Sequence, residues 1–148
     1  MSNRKLGRIL LSVVVLNTAV VSTLVDWNAS HLFNPEWHPH ARFHDVAMLW
    51  LLASMSVVAL WLLWRRSREP YISTLVATLV PVLFWLPFFF TTALVPGTSL
   101  NADPNEALPQ LLGITIYPNV VVAAINEILA GVGFWLYQRN RSELQEAP

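Results

Sequence analysis

All four histidines of the chain lie within the stretch DWNASHLFNPEWHPHARFHD at residues 26–45, together with three of its nine acidic residues and two of its seven tryptophans. Pro39 suits the first position of a helix, where its missing N–H would be unpaired anyway. A helix starting there puts His40 and His44 four apart on one face, a spacing at which two imidazoles can share a metal or a proton. Asp26 and His31 precede that helix. His31, His40, His44 and Asp26 together are a nitrogen and oxygen donor set of the kind that takes zinc, copper or non-haem iron. The same residues suit metal-free proton transfer, since histidine titrates near neutrality. The plainer alternative is a water-facing loop whose polar residues hydrogen-bond one another. Asn28 and Asn34 fit it as makers of local side-chain to backbone bonds, and Asn34-Pro35 is a turn signal. Arg42 and Asp45, three apart, are placed to pair with each other. Trp37, like Trp27, suits a membrane interface.

The elements that must hold this stretch are apolar. Hydrophobic residues make up 55% of the 148 and charged residues 12%, about half the charged share of a soluble domain; mean hydropathy is +0.49. Uncharged runs cover 9–25, 46–64 and 71–95, and a fourth apolar run with the single acid Glu127 covers 120–138, each close to the ~20 residues that span a ~30 Å hydrocarbon core. The sequence therefore predicts an all-α, polytopic four-helix membrane bundle forming one domain. Its helices are expected at about 6–25, 39–64, 71–95 and 119–138, with a disordered tail from about 142 to 148. Pro81 and Pro87 predict a kinked third helix. Asp103-Pro104-Asn105-Glu106 is a capping-box arrangement, from which a short interfacial helix is expected at about 104–113, ended by Gly113.

Of the nine lysines and arginines, Arg42 alone falls between the first and second or the third and fourth runs. Positive charge favours the cytoplasmic face, so both termini are expected there, with 26–45 and 96–118 on the opposite, outer face. The absence of cysteine excludes disulfides, thiolate metal sites and thiol catalysis. The arginines flank apolar runs and form no groove-reading basic surface, which argues against a nucleic-acid partner. The lipid bilayer is the expected environment, and an apolar small molecule the expected ligand.

A second candidate place lies inside the bilayer. Glu127 is about eight residues into the fourth run, roughly 12 Å below its outer boundary. Acids at that depth are costly and usually face the bundle interior in a functional role. Asn126 beside it and Asn17 of the first helix lie at similar depth and suit a polar clamp. The expected site thus has His31, His40, His44 and Asp26 at its mouth, Asn28 and Trp37 beside them, and Glu127, Asn126 and Asn17 below. An isomerase-like or oxygenase-like membrane enzyme is one reading. A non-enzymatic ligand-binding or assembly subunit, with a structural histidine loop, is the other.

Read as Asp26-Trp27-Asn28-x-x-His31-x-x-Asn34-Pro35-x-Trp37-x-x-His40-Ala41-x-Phe43-His44, the segment resembles the signature of a family of small four-helix membrane proteins of unknown function. The resemblance implies the four-helix layout and no particular activity. In size and layout the chain is also similar to the sterol-isomerase and sigma-2-receptor-like bundles and to anthrone-oxygenase-like membrane proteins. The second and third helices lack the buried acid that the former group would suggest.

Overall fold

The computed structural model describes residues 2–101 and 107–145. Four helical segments are long and apolar enough to cross a membrane, in α1 (Asn3–Asp26), α2 (Pro39–Trp64), α3 (Pro70–Trp85) extended by the 3₁₀ turn to Phe89, and α5 (Pro118–Gln145), as expected of a multi-pass membrane protein. A 3₁₀ turn (Leu86–Phe89) and a four-residue helix α4 (Thr91–Leu94) follow α3, and a small hairpin of β1 (Gln110–Leu111) and β2 (Ile114–Thr115) precedes α5.

Helix boundaries follow local chemistry. The Ser2 hydroxyl accepts from the Lys5 N–H at the start of α1, and His38 caps α2 by accepting the His40 N–H on its ring, with Pro39 next. The third helix was expected to continue to 95, but regular helix stops at Trp85. Pro87 has no N–H to give to the preceding turn, and the chain tightens into 3₁₀ geometry around it. A second correction concerns the interfacial helix expected at 104–113. Over 107–113 the chain is extended and turns back on itself, pairing Leu111 with Ile114 and Gln110 with Thr115. Residues 102–106, and with them the capping-box residues, lie outside the described residues. Leu112 and Gly113 both have positive φ (51° and 79°), the two-residue turn that matches strand twist. The β-branched run Ile114-Thr115-Ile116 is the signal that favoured strand. The tail expected to be disordered from 142 is helix as far as Gln145, and 146–148 lie outside the described residues.

Around the bundle, α1 contacts α2 and α5, and α3 contacts the same two, so α2 and α5 are diagonal. The α1–α5 crossing is the closest. A Cβ built on Gly7 would lie 2.6 Å from the Gly133 carbonyl oxygen and 2.7 Å from the Tyr137 nitrogen, so a glycine there is what lets the backbones meet. Leu11, Val15, Ala59, Leu63 and Ala77 form the apolar core. Buried polar groups higher in the bundle are paired between helices: Asn17 Nδ2 donates to Asn126 Oδ1 (2.9 Å), and Trp85 Nε1 donates to Thr18 Oγ1 (2.9 Å). Large apolar side chains cover much of the outside, as the hydrocarbon environment requires.

These connections place both termini-proximal arginine clusters and the Arg65–Arg68 loop at one end of the bundle, and the histidine segment and the hairpin at the other.

Candidate functional site

At the histidine end, Asn28 organises the chain that leaves α1. Its Oδ1 accepts from the Ser30 N–H (2.8 Å), the Ser30 hydroxyl (2.7 Å) and the His31 N–H (3.2 Å), while its Nδ2 donates to the Val25 carbonyl. The Leu32 N–H returns to the Asp26 carbonyl (3.0 Å), and Leu32 is buried. The result is a compact turn that carries His31 back toward the end of α1. His31 Nε2 lies 4.0 Å from Asp26 Oδ1, its Nδ1 is 2.8 Å from Ser30 Oγ, and Trp37 closes edge-on against its ring at 6.1 Å. Because the Ser30 hydroxyl donates to Asn28, it accepts the Nδ1–H, an assignment that rests on this network. Nε2 then presents its lone pair toward Asp26.

Asp45 joins this group from α2. It lies within electrostatic range of both His31 and Asp26, and its Oδ2 is buried without a hydrogen-bond partner. The expected Arg42–Asp45 pairing gives way to another contact: the Arg42 guanidinium donates to the Asn34 carbonyl at 2.6 Å. Asp26 and His31 therefore meet at the junction of α1 and the loop, with Asp45 of α2 within electrostatic range of both.

The expected four-ligand set does not assemble. His40 and His44 form a pair of their own on the exposed face of α2, with Nε2 atoms 3.0 Å apart and rings edge to face. His38 caps the helix. Among the described residues, no group of three or more histidine, aspartate, glutamate or cysteine side chains is arranged to hold a metal ion. The deeper residues also separate. Asn17 and Asn126 clamp each other (2.9 Å) and the Asn126 amide also donates to the Val122 carbonyl. Glu127 is outside that clamp, its Oε1 buried without a hydrogen-bond partner. It lies level with Asn17, nine residues and roughly 14 Å along the helix from Asp26, and seven residues before Phe134, whose ring meets Tyr71 of α3. Glu127 therefore sits on the α3 side of α5 and not in the histidine cluster.

Between α2 and α3 runs an apolar groove of about 420 Å³, lined on α2 by Met48, Leu51, Leu52 and Met55, and on α3 by residues from Val76 to Phe84. Met48 follows Asp45 by three residues and His44 by four, so the groove ends one helical turn from both. Of the aromatic residues near the top of α3, Phe84 lines the groove and Trp85 turns inward to Thr18.

A family model matches residues 10–147, nearly the whole chain. The chain belongs to DUF6640, a family of unknown function. This agrees with the expectation of an uncharacterised family. No curated protein and no solved structure matches the chain significantly. For this member of DUF6640, function is read from the geometry of its own residues.

Sequence reasoning missed Asp45. The signal was its register on α2: it lies four residues before Leu49, seven before Leu52 and eleven before Ser56, all of which are buried.

Proposed function

We propose that this protein is a small membrane enzyme that moves a proton on an apolar molecule drawn from the bilayer. His31 is the base, and Asp26 and Asp45 are the carboxylates that face the charge it acquires. The observation that carries the reading is the buried, unpaired Oδ2 of Asp45, which lies near His31 and one turn from the end of an apolar groove. A buried carboxylate oxygen without a partner is costly to maintain, and such costs collect where a group is needed for chemistry. The groove supplies the ligand chemistry: a lining of aliphatic, methionine and phenylalanine side chains fits an acyl or isoprenoid-like chain, with its reactive end at His31. His31 Nε2 takes a proton from carbon, and the same nitrogen returns it at another position, which is isomerisation.

In this reading the arginine end faces the cytoplasm, by the preference of basic residues for that side, and the site opens toward the outer leaflet.

The test is exchange. The purified chain in lipid nanodiscs is incubated in D₂O with a lipid extract of its host membrane, and the lipids are analysed by mass spectrometry. Deuterium should enter one apolar species beyond protein-free controls, and His31→Ala and Asp45→Asn should abolish the uptake. Uptake that is absent, or unchanged in both variants, refutes proton transfer at this cluster. In that case the tight bonding of Asn28 within the loop favours a structural role for the segment.

A further inference from the structure

We propose that His40 and His44 form a second, separate site, a bidentate seat for a borderline divalent metal ion, copper(II) above all. The proposal goes beyond the proton-transfer reading and does not depend on it. The two Nε2 atoms are 3.0 Å apart. Two nitrogens each about 2.0–2.1 Å from one metal are about 2.9 Å apart at a right angle and about 3.3–3.4 Å apart at the tetrahedral angle. The observed spacing matches the right angle, the cis arrangement of tetragonal copper(II) or nickel(II), better than the tetrahedron that zinc prefers.

The surroundings hold the pair in place. Pro39 and the His38 cap fix the start of α2 one residue before His40. Phe43 lies between the two imidazoles in sequence and touches both, stacked on His40 at 6.4 Å and edge-on to His44 at 5.7 Å. The nearest cation along the helix, Arg42, is turned away to the Asn34 carbonyl. Both histidines are exposed, so an ion can reach them from water. In the metal-free pair one Nε2 carries a proton and the other accepts it. When a metal ion takes that place, the donor ring shifts its proton from Nε2 to Nδ1 by exchange with solvent, so that both rings stay neutral and both Nε2 lone pairs face the ion. Two imidazoles leave the other coordination positions to water or to an incoming ligand, and the site lies one turn from the end of the α2–α3 groove, since His44 precedes Met48 by four residues.

The experiment is a copper(II) titration of the full chain in nanodiscs, purified on a tag without histidine and followed by electron paramagnetic resonance. The wild type should show one saturable copper with hyperfine structure from two equatorial nitrogens. His40→Gln and His44→Gln should each lose that signal, with helix content by circular dichroism unchanged because both side chains are exposed. His31→Ala should keep it. No saturable copper, a signal from three or more imidazoles, or a signal that survives in His40→Gln or His44→Gln overturns the proposal, as does its loss in His31→Ala. Deuterium uptake measured on metal-free His44→Gln should equal wild type, which separates this site from the acid–histidine cluster.

Discussion

Two of the four antiparallel seams of the bundle are built on different plans. Along α1–α5 the backbones touch at Gly7 and Gly133, and further up the seam the Asn17 and Asn126 amides bond across it. Along α2–α3 the helices share the core through Ala59, Leu63 and Ala77 and also leave an apolar groove of about 420 Å³, and one turn from its end Asp45 keeps a buried oxygen unpaired. A membrane bundle gains little from apolar contact as such, because lipid is as apolar as the side chains. Close packing and interhelical hydrogen bonds must hold it, and α1–α5 has both. The second seam has apolar packing without a side-chain hydrogen bond such as Asn17–Asn126, and beside that packing it leaves space one turn from an acid and a histidine. One seam keeps the fold, and the other is available to a ligand.

Substitutions can break or sharpen that contrast. Gly7→Leu should be the most damaging, because even its Cβ would lie within 2.7 Å of the α5 backbone; a loss of about 3 kcal/mol or more is expected as a large drop in thermal midpoint in detergent. A wild-type midpoint would show that α1–α5 is not the structural seam. Asn126→Leu removes the acceptor of Asn17 and should cost about 1–2 kcal/mol in the same assay. Met55→Trp, placed in the groove, should shift stability by less than about 0.5 kcal/mol yet abolish deuterium uptake by occupying the ligand's seat. Asp45→Asn should leave the midpoint unchanged or raise it, since a neutral amide replaces an unpaired carboxylate oxygen, while uptake disappears. Glu127→Gln, with no part in the cluster, should change neither uptake nor copper binding.

The spans were legible because an apolar run near twenty residues has few other fates, and the α2 boundaries agree with the expectation at both ends. The hairpin was less legible. Gly113 punctuates a helix or a two-residue turn equally well, and only the β-branched residues after it separate the two. In the site, the local contacts could be read from spacing: His40 with His44 is a property of one helix, and Asn28 acts on its own turn. Contacts between elements could not be read this way. Asp45 was assigned to Arg42 because both are close in sequence. α2 is apolar on almost every face, so hydropathy alone does not say which side meets α1. The small residues Ser56 and Ala59 mark that side, and Asp45 belongs to the same stripe.

The Asn17–Asn126 bond has a consequence for the order of synthesis. Its partners are 109 residues apart, in the first and the last of the spanning helices, and a chain emerging from the ribosome presents α1 long before α5 exists. Until the final helix arrives, the Asn17 side chain has no Asn126 to bond, in a medium where an unpaired amide is penalised. An unfinished or truncated chain therefore carries a polar mark on its first helix that only completion removes. Membrane quality control that recognises polar groups in lipid would find that mark on every chain lacking α5.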